Sequence, residues 1–272
     1  MAKHFVCLSD SQWTMIQGPV NWSPPLPRRI PRTDFRKIWN AIFFILTRGC
    51  RWVDIPKNPD LYCSKSTAHR WLIILKKAHV FDRVLSGFLQ AGIAEKKVDL
   101  SQVAIDGSFP PGPGGRKEVE HGHKGKGSLL HLVTDKEGKP LWITTTSAKG
   151  NERIQALALL DQLQISRCKD TKRMTICEAD KGYDSDELRM EMLRRGYVPI
   201  IGYRKNRKER VETEDIYACF RASKKRWVVE RSFSWLKRKC RRLLMRWERL
   251  PAVWSAFSLL GLIFMWLEIL LG

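Results

Sequence analysis

Carboxylates are scarce in this sequence: 28 Asp+Glu stand against 49 Lys+Arg among 272 residues, a formal charge of +21. Self-repulsion at that charge works against a compact monomer, so it points to a polyanionic partner, either nucleic acid or an anionic membrane surface. Metal-type cysteine spacing is missing too. The seven cysteines (Cys7, Cys50, Cys63, Cys168, Cys177, Cys219, Cys240) are scattered without a C-x-x-C pair, which excludes a zinc knuckle and reads as reduced, mostly buried thiols. No glycine loop runs into Lys and Ser/Thr; Gly127 is followed by Ser128, so no ATP site is expected. There are no internal repeats, and no low-complexity tract apart from the loop Pro110–Gly115. Met1–Trp22 has no basic region leading into an apolar run, so no secretory signal is expected and the cytoplasm is the expected compartment.

One long apolar run is present, Pro251–Leu271, with Glu268 as its only charge. Its length would just span a bilayer. Ser255, Ser258, Gly261 and the embedded Glu268 instead predict a buried core helix, and no membrane partner is expected. With 43% hydrophobic residues the chain is not mainly disordered.

The charge is unevenly placed: residues 1–100 carry net +9, residues 101–200 net +2, and residues 201–250 net +11. A nearly neutral middle between basic flanks suits a core gripped to a nucleic-acid backbone at both ends. Periodicity divides the chain in a similar way. After a proline-rich linker (Pro19–Pro31), Thr33 is placed to cap a helix Asp34–Arg48 with apolar positions Phe35, Ile38, Trp39, Ile42, Ile45 and Leu46, stopped at Gly49. Ser64 or Ser66 caps a second helix with Ala68, Trp71, Leu72 and Leu75 on one face, and a third, Phe81–Leu89, ends at Gly92. From about residue 98 short β-branched runs take over, which predicts a boundary at 90–100: an all-helical unit, 1–95, and an α/β unit, 96–272. In the second unit, strands are predicted at Ser101–Asp106, Leu129–Thr134, Leu141–Thr146, Met174–Ala179 and Val198–Gly202, with helices at Glu152–Leu163 and Ser185–Arg195.

Two of these strands close on an acid, Asp106 before Gly107 and Asp180 before Lys181-Gly182. Functional crevices of open α/β sheets lie outside the carboxyl ends of the strands, so neighbouring strands would bring both acids to one place. A third acid, Glu230, stands in a helical stretch otherwise crowded with cations, Arg226 to Lys237. Three carboxylates can hold two divalent cations ~3.5–4 Å apart, an arrangement that activates an attacking hydroxyl and stabilises a leaving phosphodiester oxygen. Mg²⁺ prefers such oxygen ligands. Each acid also has an ordinary reading: a strand-terminal Asp serves as a turn former, and Glu230 pairs with Arg226 or Arg231. Trp227 and Trp235, eight apart, read as core anchors, and His121 and His123 as loop residues rather than a metal pair.

The strings Val103-Ala104-Ile105-Asp106-Gly107-Ser108, Leu130-His131-Leu132-Val133-Thr134-Asp135, Ala179-Asp180-Lys181-Gly182-Tyr183-Asp184-Ser185 and Arg226-Trp227-Val228-Val229-Glu230-Arg231 resemble bacterial insertion-sequence transposases, more narrowly the insertion-sequence-five family. Ser11-Gln12-Trp13, Arg48-Gly49-Cys50-Arg51-Trp52 and Ser66–Trp71 resemble that family's helical DNA-binding region. The resemblance implies a ribonuclease-H-like mixed sheet flanked by helices, preceded by a small helix-turn-helix-like domain. It implies a catalytic, metal-binding triad of Asp106, Asp180 and Glu230, two Mg²⁺ ions with Mn²⁺ as a substitute, double-stranded DNA as substrate, and at least a homodimer in the active complex.

Arg226 and Lys237 match the Arg and Lys of the family's C-terminal signature, whereas Ser223 stands where it has Tyr. The short interval from Asp180 to Glu230 implies no large β-rich insertion. Ser66, Arg70 and Lys77, opposite the apolar face of the second helix, are then the expected DNA readers, with Arg241 and the cation runs Arg204–Arg210 and Lys237–Arg242 on phosphates. Two other readings stay open from the residues alone: a metal-dependent nuclease of the same fold, and a non-catalytic DNA binder.

Overall fold

The computed structural model describes residues 5–19, 33–122, 124–166, 174–204 and 227–272. Arg226, Ser223, His123, Cys168, Cys219, most of the Pro19–Pro31 linker, the run 205–210 and the interval in which an insertion was weighed lie outside the described residues.

The helical part opens with α1 (Asp10–Gln17), whose start is a capping box between Ser9 and Gln12. In α2 (Phe35–Arg48) the cap is Asp34 rather than Thr33: its carboxylate accepts from the Arg36 amide at 2.8 Å. Gly49 ends the helix at φ +69° in the left-handed region, as expected. Ser64 caps α3 (Lys65–Lys77), which buries Ala68, Leu72 and Leu75. In α4 (Val80–Ala94), Gly92 is not the stop but an internal position, because the ring of Trp266 lies where its side chain would be; an added Cβ would come within 2.5 Å of that ring.

The sheet among the described residues contains β1 (Gln102–Ser108), β2 (Glu120–Gly122), β3 (Gly125–Asp135), β4 (Pro140–Ser147), β5 (Thr175–Ala179) and β6 (Tyr197–Ile201). Its order is β2-β3-β1-β5-β6, and β4 also pairs with β3. The β1–β3 and β3–β4 pairs are antiparallel, while β1–β5 and β5–β6 are parallel. The two parallel crossovers are made with α5 (Glu152–Ser166) and α6 (Asp186–Arg194). Strand β1 runs two residues further than its apolar pattern suggests, because Gly107 and Ser108 keep the register with His131 and Leu130 of β3.

Two further helices, α7 (Trp227–Lys239) and α8 (Pro251–Leu271), complete the described chain. The apolar run is a core helix: 78% of its most hydrophobic window is buried. It packs on α4, α3 and α2 on one side and on β4 on the other. Trp266 Nε1 donates to the Pro140 carbonyl of β4 at 2.7 Å, and Phe264 meets Phe5 and Phe43 in the helical part. A single apolar core therefore runs from Leu8 to Leu270.

His131 lies fully buried in β3, its Nε2 against Thr146 Oγ1 of β4 at 2.7 Å. Burial pushes the imidazole down to about 4. An unfolded chain takes up that proton near pH 6.5, the fold only near pH 4. The contribution of neutral His131 is thus fully present above pH 6.5 and is lost as pH falls towards 4, by about 3 kcal/mol in all. Urea unfolding at pH 7 and pH 4.5 should show this loss, and His131→Gln should flatten it; equal acid sensitivity of both proteins would contradict the assignment.

Candidate active site

The pairing register decides where two of the acids go. On parallel neighbours β1 and β5, Val103 is opposite Cys177 and Ala104 opposite Glu178. Carried on by two residues, the same register sets Asp106 beside Asp180, and the two-residue periodicity of strands keeps them on the same face. Asp106 stands within β1, two residues before its end, and not at the end itself. Its Oδ1 accepts from the Gly107 amide at 2.7 Å. Asp180 Oδ1 accepts from the Gly182 amide, also at 2.7 Å, which caps the 3-10 turn Lys181–Tyr183.

The third acid comes from α7. Glu230, Phe233, Ser234 and Lys237 are spaced i, i+3, i+4, i+7, so one stripe of the helix faces the sheet. That stripe and the strand acids line one cavity of about 440 Å³ with Gly107, Ser108 and Lys124. Asp106 and Asp180 are half-buried and Glu230 is exposed.

The helix is fixed by the β3–β4 turn. Ser232, fully buried, sets its hydroxyl against the Gly138 carbonyl and that of Val228, and Arg231 donates to the Glu137 carbonyl. Gly138, at φ +88°, leaves room for this docking: a Cβ there would come within 3.0–3.1 Å of Arg231, Ser232 and the Val228 carbonyl.

Lys237 spans the cavity to donate from Nζ to Ser108 Oγ at 2.6 Å. Its ammonium is held below the usual lysine range, first by burial and then by the neighbouring charge of Lys124. Three carboxylates and two ammonium groups thus surround one volume, a mixture able to receive both a cation and a phosphate.

The donor set fits a hard divalent cation. The cavity's candidate ligands are carboxylate oxygens, with no histidine or cysteine among the described residues of its wall. Among the described residues no three acids, histidines or cysteines are gathered closely enough to chelate a single ion. The triad expected from the sequence therefore surrounds a shared space and is not a closed cage.

Of the expected DNA-contacting residues, the structure brings Lys237 to the acids. Ser66, Arg70 and Lys77 are exposed on the outer stripe of α3, away from its buried face, and Arg241 is exposed just after α7, against Gly49. Ser108 and Lys124 escaped the sequence reading as cavity residues. Trp227 and Trp235 are not core anchors: they are 52% and 36% exposed and hold the Arg231 guanidinium between them, 4.5 and 4.6 Å from the two ring centres. The cation stabilises their exposure through the ring faces.

Residues 98–266 match the family model of the transposase DDE domain, and residues 8–85 match a model for transposases of the IS4/5 family. The chain belongs to the DDE transposase family. The transposase assigned to insertion sequence element IS402 of Burkholderia cepacia is 37% identical over 138 residues, covering 50% of this chain and 60% of that protein. An uncharacterised 16.2 kDa protein of the same element is 32% identical over 115 residues, 40% of this chain and 74% of the other. The chain thus matches less than two thirds of the length of the first of these relatives. Among solved structures, the piggyBac transposase synaptic complex with hairpin DNA superposes with a TM-score of 0.53 at 11% identity, over 95% of this chain and 70% of that one. This likeness and the strand order establish the fold of the DDE transposase chain as ribonuclease-H-like, with a helical region in front.

Proposed function

We propose that this transposase binds the terminal inverted repeats of its own insertion sequence, cleaves the element ends, and joins the freed 3′-hydroxyl ends to target DNA. The observation that carries this reading is the single cavity in which Asp106, Asp180, Glu230 and Lys237 stand together. Asp106, Asp180 and Glu230 would hold Mg²⁺, two ions in the working complex with Mn²⁺ as a substitute; when bound, these ions activate the attacking hydroxyl and stabilise the leaving oxygen.

The protein's own groups do the rest. Lys237, steered by Ser108, offers its ammonium to a phosphate oxygen beside the acids. Lys124 faces the same volume from the β2–β3 turn. The half-buried strand acids are fixed by backbone amides, so their oxygens need little reorganisation when substrate arrives. The helical segment, residues 1–95, would read the element end through the exposed stripe Ser66, Arg70 and Lys77 of α3. Arg226, Lys237 and Arg241 would grip phosphates, and two copies of the chain would bring two ends together in the bacterial cytoplasm.

The test is strand joining. Purified chain, Mg²⁺, a duplex ending in the element's terminal repeat and a target plasmid should give covalent end–plasmid products, with none in EDTA. Cutting without joining would identify a nuclease of the same fold. Binding with neither reaction would identify a DNA binder without catalysis.

A further inference from the structure

A second cavity, of about 680 Å³, reaches the turn that follows Asp180, and none of the residues expected from the family signature accounts for it. Its wall includes Lys149, Arg153, Arg204 and His121 and, among the described residues, no carboxylate. Gly182, whose amide holds Asp180, belongs to this wall, and Lys124 of the first cavity follows Gly122 of the second by two residues. The walls of the two hollows are thus built from neighbouring residues of the 180–182 turn and of the β2–β3 hairpin tip.

The cations are placed by backbone structure. Lys149 sits in the turn after β4, closed by the Gly150 amide on the Ser147 carbonyl at 2.9 Å. Arg153 opens α5, where Asn151 Oδ1 accepts from its amide at 3.0 Å. Arg204 is held at the wall by donating to the carbonyls of Lys181 at 3.0 Å and Gly182 at 2.7 Å. Among the described residues neither Lys149 nor Arg153 has a carboxylate partner, in contrast to Arg195, which Asp161 and Glu191 neutralise. Concave, positive and walled by the turn that carries Asp180, the space is complementary to a run of phosphates.

We propose that this cavity is a second phosphodiester seat, in which Lys149 and Arg153 hold the same DNA strand a few nucleotides away from the bond placed at Asp106 and Asp180. This rests on the reading that the chain cleaves DNA, and it adds what sets the register of the strand. Each cation that neutralises a phosphate releases counterions, so the seat contributes to the salt dependence of binding.

The experiment compares full-length wild type with Lys149→Gln/Arg153→Gln on the element-end duplex. Fluorescence anisotropy against salt should show a log–log slope smaller by about two in the double variant. Phosphate-ethylation interference at a few positions beside the cut should disappear with it, and cleavage should fall together with binding. Lys149→Gln alone, in an exposed turn, carries the same test with a slope change of about one if the double variant melts early.

Unchanged slope and unchanged interference in a protein that still cleaves would overturn the seat while leaving the proposed reaction intact. Loss of the interference in the variant, with no cleavage even by wild type, would keep the seat and overturn the reaction. Binding of a free nucleoside triphosphate to wild type alone, with equal salt slopes, would make the hollow a mononucleotide site and refute the strand assignment.

Discussion

Asp106→Ala is expected to lower end cleavage by about three orders of magnitude, because metal-assisted charge stabilisation contributes several kcal/mol to such a transition state and each ~1.4 kcal/mol is tenfold in rate. Binding to the uncleaved end should remain within about threefold, since the cationic surface that supplies affinity is untouched. The acid lies within β1, where its backbone keeps pairing with β3, so a methyl side chain leaves the strand in place. Nicking of a labelled end duplex in Mg²⁺, followed beside anisotropy on the same preparation, separates the two quantities. Cleavage retained by Asp106→Ala would remove this residue from the chemistry.

The second large effect concerns a residue outside the acids' cavity. Asp184 is buried beneath the Asp180 turn, where it receives Arg189 Nη1 at 2.7 Å and the Arg204 amide at 2.8 Å. Arg189 in turn donates to the Ile201 carbonyl and stacks over Tyr203. Asp184→Ala leaves a largely buried guanidinium with only the exposed Asp186 carboxylate at 3.8 Å, which should cost about 3 kcal/mol, the low end for breaking a buried pair. Cleavage should fall as well, because Arg204 clamps the carbonyls of Lys181 and Gly182 next to Asp180. Asp184→Asn, which keeps an acceptor for the Arg204 amide, should lose less. Urea unfolding of the three proteins decides this, and equal midpoints for Asp184→Ala and wild type would show the clamp to be dispensable.

The second acid of the D-K-G-Y-D-S block thus supports the first. Much of this was legible in the chain. Apolar strands that run into Asp106 and Asp180, the turn between β3 and β4, and the cation-rich helix around Glu230 each carry a local signal, and parallel pairing turns those signals into one cavity.

What stayed hidden depended on partners distant in sequence. The extension of β1 through Gly107 and Ser108 is written in β3, not in the propensities of a glycine and a serine. Gly92 has the residue type of a helix stop, yet the ring that occupies its vacant side is 174 positions away, at Trp266. Strand β2, the three residues Glu-His-Gly, offers no apolar alternation at all. The exposure of Trp227 and Trp235 follows from Arg231 lying between them, a contact that aromatic spacing alone does not announce. Lys149 and Arg153 carry no sequence signal of their own; the turn after β4 and the start of α5 place them in one wall.

Helix α8 packs against both the helical region and the sheet. It is wedged between α2–α4 and β4, and Lys97 fastens its last turn by donating to the Leu270 carbonyl at 2.9 Å. A fragment cut off after the helical region would expose a wide greasy trough on α2, α3 and α4, and the remainder would carry an orphaned apolar rod. On the proposed reading, an element end engaged on α3 would bear on the same helix that packs against β4, which would couple recognition to chemistry.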